Sequence, residues 1–215
     1  GTDAQLMVAD RLEIGSGGSA ILGGGSLLQV TNKLHLRGSN VVVEARTRHY
    51  ASMISNQWAG IGVTLRAGAM TVGEGCWITA DEQGYVGGIG RGQDGGGPGG
   101  GGHASDYGRA GGAGHGGWGQ SVAGIPLGRG GAPYGSAFLP KALGSGGGGG
   151  NADWGQGGRG GGAIHLVVSG LLELNGTLSA NGGAGVRNYG GASGGSILVE
   201  AGTLRGEGSL ESKGG

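Results

Sequence analysis

Between residues 84 and 162 the chain holds 36 glycines in 79 residues, and that density removes most folds from consideration. Each glycine in a helix interior costs about 1 kcal/mol relative to alanine. A pleated sheet of glycine has no side chains to pack. Runs such as 95–102, 111–117, 146–150 and 157–162 are left with one ordered conformation, the polyproline-II geometry, with three residues per turn and no internal hydrogen bonds. Strands without Cβ atoms can approach closely, exchange N–H···O=C bonds and add Cα–H···O contacts. A buried set of such strands must satisfy nearly all its backbone groups. The sequence therefore predicts a polyglycine-II bundle over 84–162. Only 4 prolines accompany the 63 glycines of the whole chain and no strict Gly-X-Y period occurs, so a collagen helix is excluded.

On either side of this insert the pattern changes to short apolar alternation. Three stretches, 63–80, 164–180 and 197–212, share one frame: an alternating strand, a glycine turn, a second short strand, another turn and a third strand. Segments 6–14 and 28–43 alternate in the same way through Leu6, Val8, Leu12, Ile14, Leu28, Val30, Leu34, Leu36, Val41 and Val43. Alternation of period two broken by glycine marks half-buried strands. Its recurrence as a unit marks a solenoid. The expected class is all-β: parallel β-solenoid-like stacked rungs with the polyglycine-II bundle inserted, and almost no α-helix. Rungs are expected over 1–83, the insert over 84–162, and further rungs over 163–215, in one compact domain cut from a longer chain. Ordinary hairpins are the alternative, since Asn175-Gly176 is a type I′ turn signal. The longest glycine-free stretch, 39–59, ends in 44–58, which reads equally as a short helix or an irregular loop. Alternation assigns Ile164, Leu166, Val168, Leu172, Leu174, Leu178, Ile197, Val199 and Leu204 to the core.

The 14 basic residues balance the 14 acidic ones. Such a chain has no electrostatic footprint for nucleic acid and no polybasic face for anionic lipid. No apolar run approaches the roughly 18 residues of a membrane helix, so neither nucleic acid nor membrane insertion is expected. A single cysteine, Cys76, permits no internal disulfide and reads as a small buried apolar residue.

The elements Gly161-Gly162-Ala163-Ile164 and Ser179-Ala180-Asn181-Gly182-Gly183, with the glycine tract before them, carry a resemblance. The chain resembles the glycine-rich domains that use polyglycine-II bundles: tail-fibre adhesins of T-even-like phages, the N-terminal domain of Obg-type GTPases, and the glycine-rich domain of the anaplastic lymphoma kinase receptor. Over 63–215 it is more similar to glycine-rich repeats of very large surface proteins. The resemblance implies an architecture and an extracellular or cell-surface setting. It supplies no catalytic residue.

Chemistry-bearing constellations are sparse. Gly-x-Gly-x-x-Gly matches are inevitable here, yet no Gly-Lys-Ser/Thr and no helix follows them, so a nucleotide loop is rejected. Asp81, Asp94, Asp106 and Asp153 sit in glycine loops; calcium would need several of their oxygens to converge, whereas a single loop carboxylate bonds local N–H groups. His35, His49, His103, His115 and His165 lack zinc-ligand spacing. No catalytic residue, metal site or cofactor is assigned. The aromatic residues carry the best functional signal. Trp118-Gly119-Gln120 and Trp154-Gly155-Gln156 repeat one tripeptide, and Tyr107 and Tyr134 also flank glycine tracts. With Gln120 and Gln156 they form a candidate surface for stacking on sugar rings, or a cover over the bundle's bare faces. The expected function is a non-enzymatic structural or adhesive module, self-associating, possessed of fibre-forming open ends. The alternative is a receptor- or carbohydrate-binding tip. A pectate-lyase-like enzyme would need paired carboxylates, and Glu74, Glu173, Glu200 and Glu207 are scattered. An ice-binding face would need ranked threonines, which are lacking.

Overall fold

The computed structural model describes residues 4–50, 53–104, 108–122, 127–150 and 155–215. Among them the chain is all-β, with no helix. The elements are β1 (Gln5–Val8), β2 (Arg11–Ile14), β3 (Ser19–Gly23), β4 (Leu27–Leu36), β5 (Val41–Arg46), β6 (Arg48–His49), β7 (Gly60–Ile61), β8 (Val63–Val72), β9 (Cys76–Thr79), β10 (Ala163–Leu174), β11 (Thr177–Ser179), β12 (Ser196–Arg205) and β13 (Ser209–Glu211). Two parallel sheets face each other. One runs β1-β4-β8-β10-β12, with β2 also on β4; the other runs β13-β11-β9-β5-β3.

Parallel register converts the alternation into columns of like side chains. Leu12, Leu34, Met70, Leu172 and Leu204 stand in one column, and Val43, Ile78, Leu178 and Leu210 in another. Leu34, Leu36, Leu65, Met70, Ile78, Ile164, Leu166, Leu172 and Leu178 are fully buried between the sheets. Each such side chain contributes about 1.5–3 kcal/mol by leaving water. Of the expected core, Ile164, Leu166, Val168, Leu172, Leu174 and Leu178 are buried, while Ile197 and Val199 are half-buried. Leu204 is 54% exposed, which corrects that assignment. Its strand β12 pairs only with β10, and nothing among the described residues covers its far side.

The glycines read as turns between a first and second strand are instead corners within one strand. The ladders of β4, β8, β10 and β12 shift register near Gly68, Gly170 and Gly202. A Cβ at Gly68 would lie 2.5 Å from the Thr31 carbonyl oxygen, and one at Gly202 2.6 Å from that of Ser169. Asn175-Gly176 closes no hairpin, because β10 and β11 belong to different sheets. Between β5 and β8 the chain forms the short antiparallel pair β6–β7, and the described residues there include no helix.

The glycine tract leaves β9 and returns at β10, and its backbone bonding repeats every three residues. Gly144 and Gly147 donate to Gly161 and Gly158, and Gly146 and Gly149 to Gly96 and Gln93. Ser145 donates to the Ser193 hydroxyl and Gly148 to Gly111. In return, the carbonyls of 144 and 147 accept from Tyr85 and Gly88, those of 145 and 148 from Ser193 and Gly190, and those of 146 and 149 from Gly101 and Ala104. Segment 144–149 thus bonds to six surrounding segments and is buried throughout. A Cβ at Gly146, Gly147, Gly148 or Gly149 would come closer than 3.0 Å to a neighbouring carbonyl oxygen. Tyr85, Leu143 and Ala163, with Trp58 against them, form a second, smaller apolar cluster.

Candidate functional site

One face of the glycine region opens into a groove of about 1240 Å³. It is lined by residues from segments 109–122, 133–140, 187–196 and 212–215. Three of the candidate contact residues meet there: Trp118, Gln120 and Tyr134. Trp118 is 76% exposed and offers a whole indole face to solvent. Gln120 is exposed beside it. Gln156 lies elsewhere, half-buried at an antiparallel bridge with Ile89, so the repeated tripeptide does not produce equivalent placements. Tyr107 and Trp154 lie outside the described residues, as do Asp106 and Asp153.

Tyr134 is held by the groove's own floor. Its ring stacks on His115, centroids 4.6 Å apart and planes 25° from parallel. Its hydroxyl donates to the Leu143 carbonyl and accepts from Ser145 Oγ at 2.9 Å. Ser145 Oγ accepts in turn from the Gly99 N–H at 3.0 Å. Burial pushes the Tyr134 phenol up to about 12, so the ring stays neutral and works as a fixed wall. His115 Nδ1 lies 2.8 Å from the Gly194 carbonyl. A carbonyl only accepts, so Nδ1 carries the proton of this hydrogen bond.

Electrostatically the groove is one-sided in a chain of zero net charge. Arg109 and Arg187 line it, and among the described residues no aspartate or glutamate does. Phe138, 98% exposed, stands between Ala137 and Pro140, which line the groove. Sequence reasoning passed over Phe138. Its signal was being the only phenylalanine of the chain, on a loop flanked by Pro133 and Pro140.

The other candidates resolve locally. Asp81 accepts from the Asn181 N–H at 2.6 Å. Asp94 accepts from the His103 N–H at 2.9 Å and meets the His103 ring at 2.6 Å, with Arg129 at 3.3 Å. Burial pushes the Asp94 carboxyl up, but the His103 hydrogen bonds and the His103 and Arg129 charges outweigh it and hold the group below its usual value. His165 pairs with Glu200 at 2.6 Å on the outer face of the first sheet. Cys76 is buried, and burial raises its thiol. Among the described residues no three His, Cys, Asp or Glu side chains are grouped to hold a metal ion.

No protein-family model, no curated protein and no solved structure matches the chain.

Proposed function

We propose that the chain is a non-enzymatic structural and adhesive module of a larger extracellular or cell-surface protein. In this reading the five parallel passages are rungs of a β-solenoid, and the tract between β9 and β10 is a polyglycine-II bundle. The observation that carries it is the three-residue repeat of backbone hydrogen bonds around 144–149. Three residues per turn is the polyproline-II pitch, and bonding to neighbours on all sides yields a stiff body built from backbone. Such a body suits load-bearing and presentation of loops. The exposed indole of Trp118 and ring of Phe138 are what it presents.

A second reading rests on the convergence of Trp118, Gln120 and Tyr134 on one groove. An aromatic platform flanked by amide and arginine donors suits a sugar ring, with glycan binding as the function. Electron microscopy and light scattering across a concentration series, beside a glycan array and a cell-adhesion assay, test both. Self-association or surface adhesion supports the module. Monomers with no surface or glycan binding refute both readings, and a turnover lost on substituting Asp81 or Asp94 would install an enzyme instead.

A further inference from the structure

One gap in the hydrogen-bond pattern among the described residues coincides with the groove. Segment 190–195 follows the same three-residue rule as 144–149. Gly190 and Ser193 donate to Gly148 and Ser145, and Ala192 and Gly195 donate to Gly183 and Ala180. Its carbonyls are also engaged: those of 190 and 193 by Gly158 and Gly161, that of 191 by Ala113, that of 192 by Gly215, and that of 194 by His115. Five neighbouring segments account for these bonds: 144–149, 157–161, 180–183, 212–215 and 110–115. The remaining donors, the N–H groups of Gly191 and Gly194, have no acceptor among the described residues. They are three residues apart and so share one direction. The unfilled position lies between segments 110–115 and 212–215, and both line the groove.

The adjoining segment 110–115 shows the complementary gap. Ala110 and Ala113 donate to Asn188 and Gly191, while Gly111 and Gly112 accept from Gly148 and Gly131. The carbonyls of Ala110 and Ala113, again three apart, accept from no N–H among the described residues. Two donors from 190–195 and two acceptors from 110–115 thus border one strand position that no described residue fills. Gly116 and Gly117, which also line the groove, have open space where a Cβ would stand, unlike almost every glycine of 144–161. Unpaired backbone groups at a protein surface are a template for another chain.

We infer that this groove seats a glycine-rich, three-residue-per-turn strand from a second copy of this chain, which takes the sixth position beside 190–195. The inference rests on the scaffold reading and adds the seam through which copies join. Its occupant must be nearly free of Cβ atoms to approach two backbones at once, and must present donors and acceptors every third residue. Segments of this composition are what the chain itself has in abundance. Zero net charge leaves no long-range repulsion between copies. Trp118 on the rim would lie over the incoming backbone and exclude water from its hydrogen bonds.

The test uses the intact chain, a Gly117→Leu variant that fills the groove without touching the fold, and Gly15→Leu as control. A Cβ at Gly15 also meets nothing within 4 Å, and it lies in the turn between β2 and β3. Sedimentation equilibrium should show self-association that Gly117→Leu weakens roughly tenfold or more and Gly15→Leu leaves unchanged, all at the same melting temperature. Hydrogen exchange should show the Gly191 and Gly194 amides becoming protected as concentration rises. Association that survives Gly117→Leu with those amides still exchanging freely overturns the seam and leaves the scaffold reading standing. Strict monomers overturn the seam too, and the module is then judged on surface adhesion alone. Protection of the two amides by a soluble oligosaccharide, with none on self-association, assigns the groove to glycan and overturns the inference.

Discussion

The apolar stack and the glycine region solve one problem with opposite materials. In the stack, side chains exclude water, and the backbone needs only one bonding direction, up and down the sheet. Columns such as Leu34, Met70 and Leu172 carry the stability. In the glycine region there are few side chains to bury. Segment 144–149 reaches burial by bonding its backbone to six neighbours. A leucine column can lose a methyl group and keep its hydrogen bonds. A glycine segment cannot gain one, because neighbouring carbonyl oxygens occupy the space. One region is sensitive to removing atoms and the other to adding them.

Substitutions in both regions press on that contrast. Gly148→Val should have the largest effect, about 4 kcal/mol or more and loss of a cooperative thermal transition, since a Cβ there meets the Gly102 carbonyl and separates segments on several sides. An unchanged melting curve would remove the close-packed backbone from the account. Leu172→Ala should cost about 3 kcal/mol in chemical denaturation, the expected range for a fully buried leucine. Its column partner Leu204, exposed on β12, should cost under about 0.5 kcal/mol as Leu204→Ala; equal losses at both positions would mean that β12 is covered in solution.

Tyr134→Phe comes next, at about 1–2 kcal/mol, because it strands Ser145 Oγ and the Leu143 carbonyl. The same residue predicts alkaline sensitivity. Its folded-state pKa is raised from 10.0 to about 12, so its contribution is full below pH 10 and is lost as pH climbs from there toward 12. Denaturation midpoints across that window should fall for the native chain and fall less for Tyr134→Phe. Arg187→Ala should be the smallest effect, within about 0.5 kcal/mol on thermal stability, because Arg187 is exposed on a loop.

Much of this was legible in the residues. Alternation identified the buried face of β10 from Ile164 to Leu174, and the glycine density excluded helix from 84–162. What could not be read was tertiary in origin. Leu204 has the same alternation as Leu172 and differs in that, among the described residues, β12 pairs on one side only. Gly68, Gly170 and Gly202 look like turn residues, yet they are places where successive strands bend past one another with backbone in contact. At the candidate site, composition singled out Trp118, Gln120 and Tyr134, which the fold gathers at one groove. The matching tripeptide at 154–156 promised an equivalence that Gln156 does not have. His115 and Ser145 could not be found in advance, because their roles depend on contacts with Tyr134 and Gly194 across the glycine region.

The path of the chain also sets a clock. Val63 on β8 pairs with Ile164 on β10, so two adjacent strands of one sheet are separated by the entire glycine tract. Closing a loop of that length has an entropic cost that grows as about (3/2)RT ln n, and glycine, the most mobile residue when unfolded, adds to it. The strands from β1 to β9 can meet through short connections, whereas β10 to β13 must wait until the tract is drawn in. Parallel pairing over such separations places a domain among slow folders. A chain emerging from a ribosome would therefore hold β8 and β9 as open edges while 84–162 is being made, and its half-finished form would be the one most prone to join a neighbour wrongly.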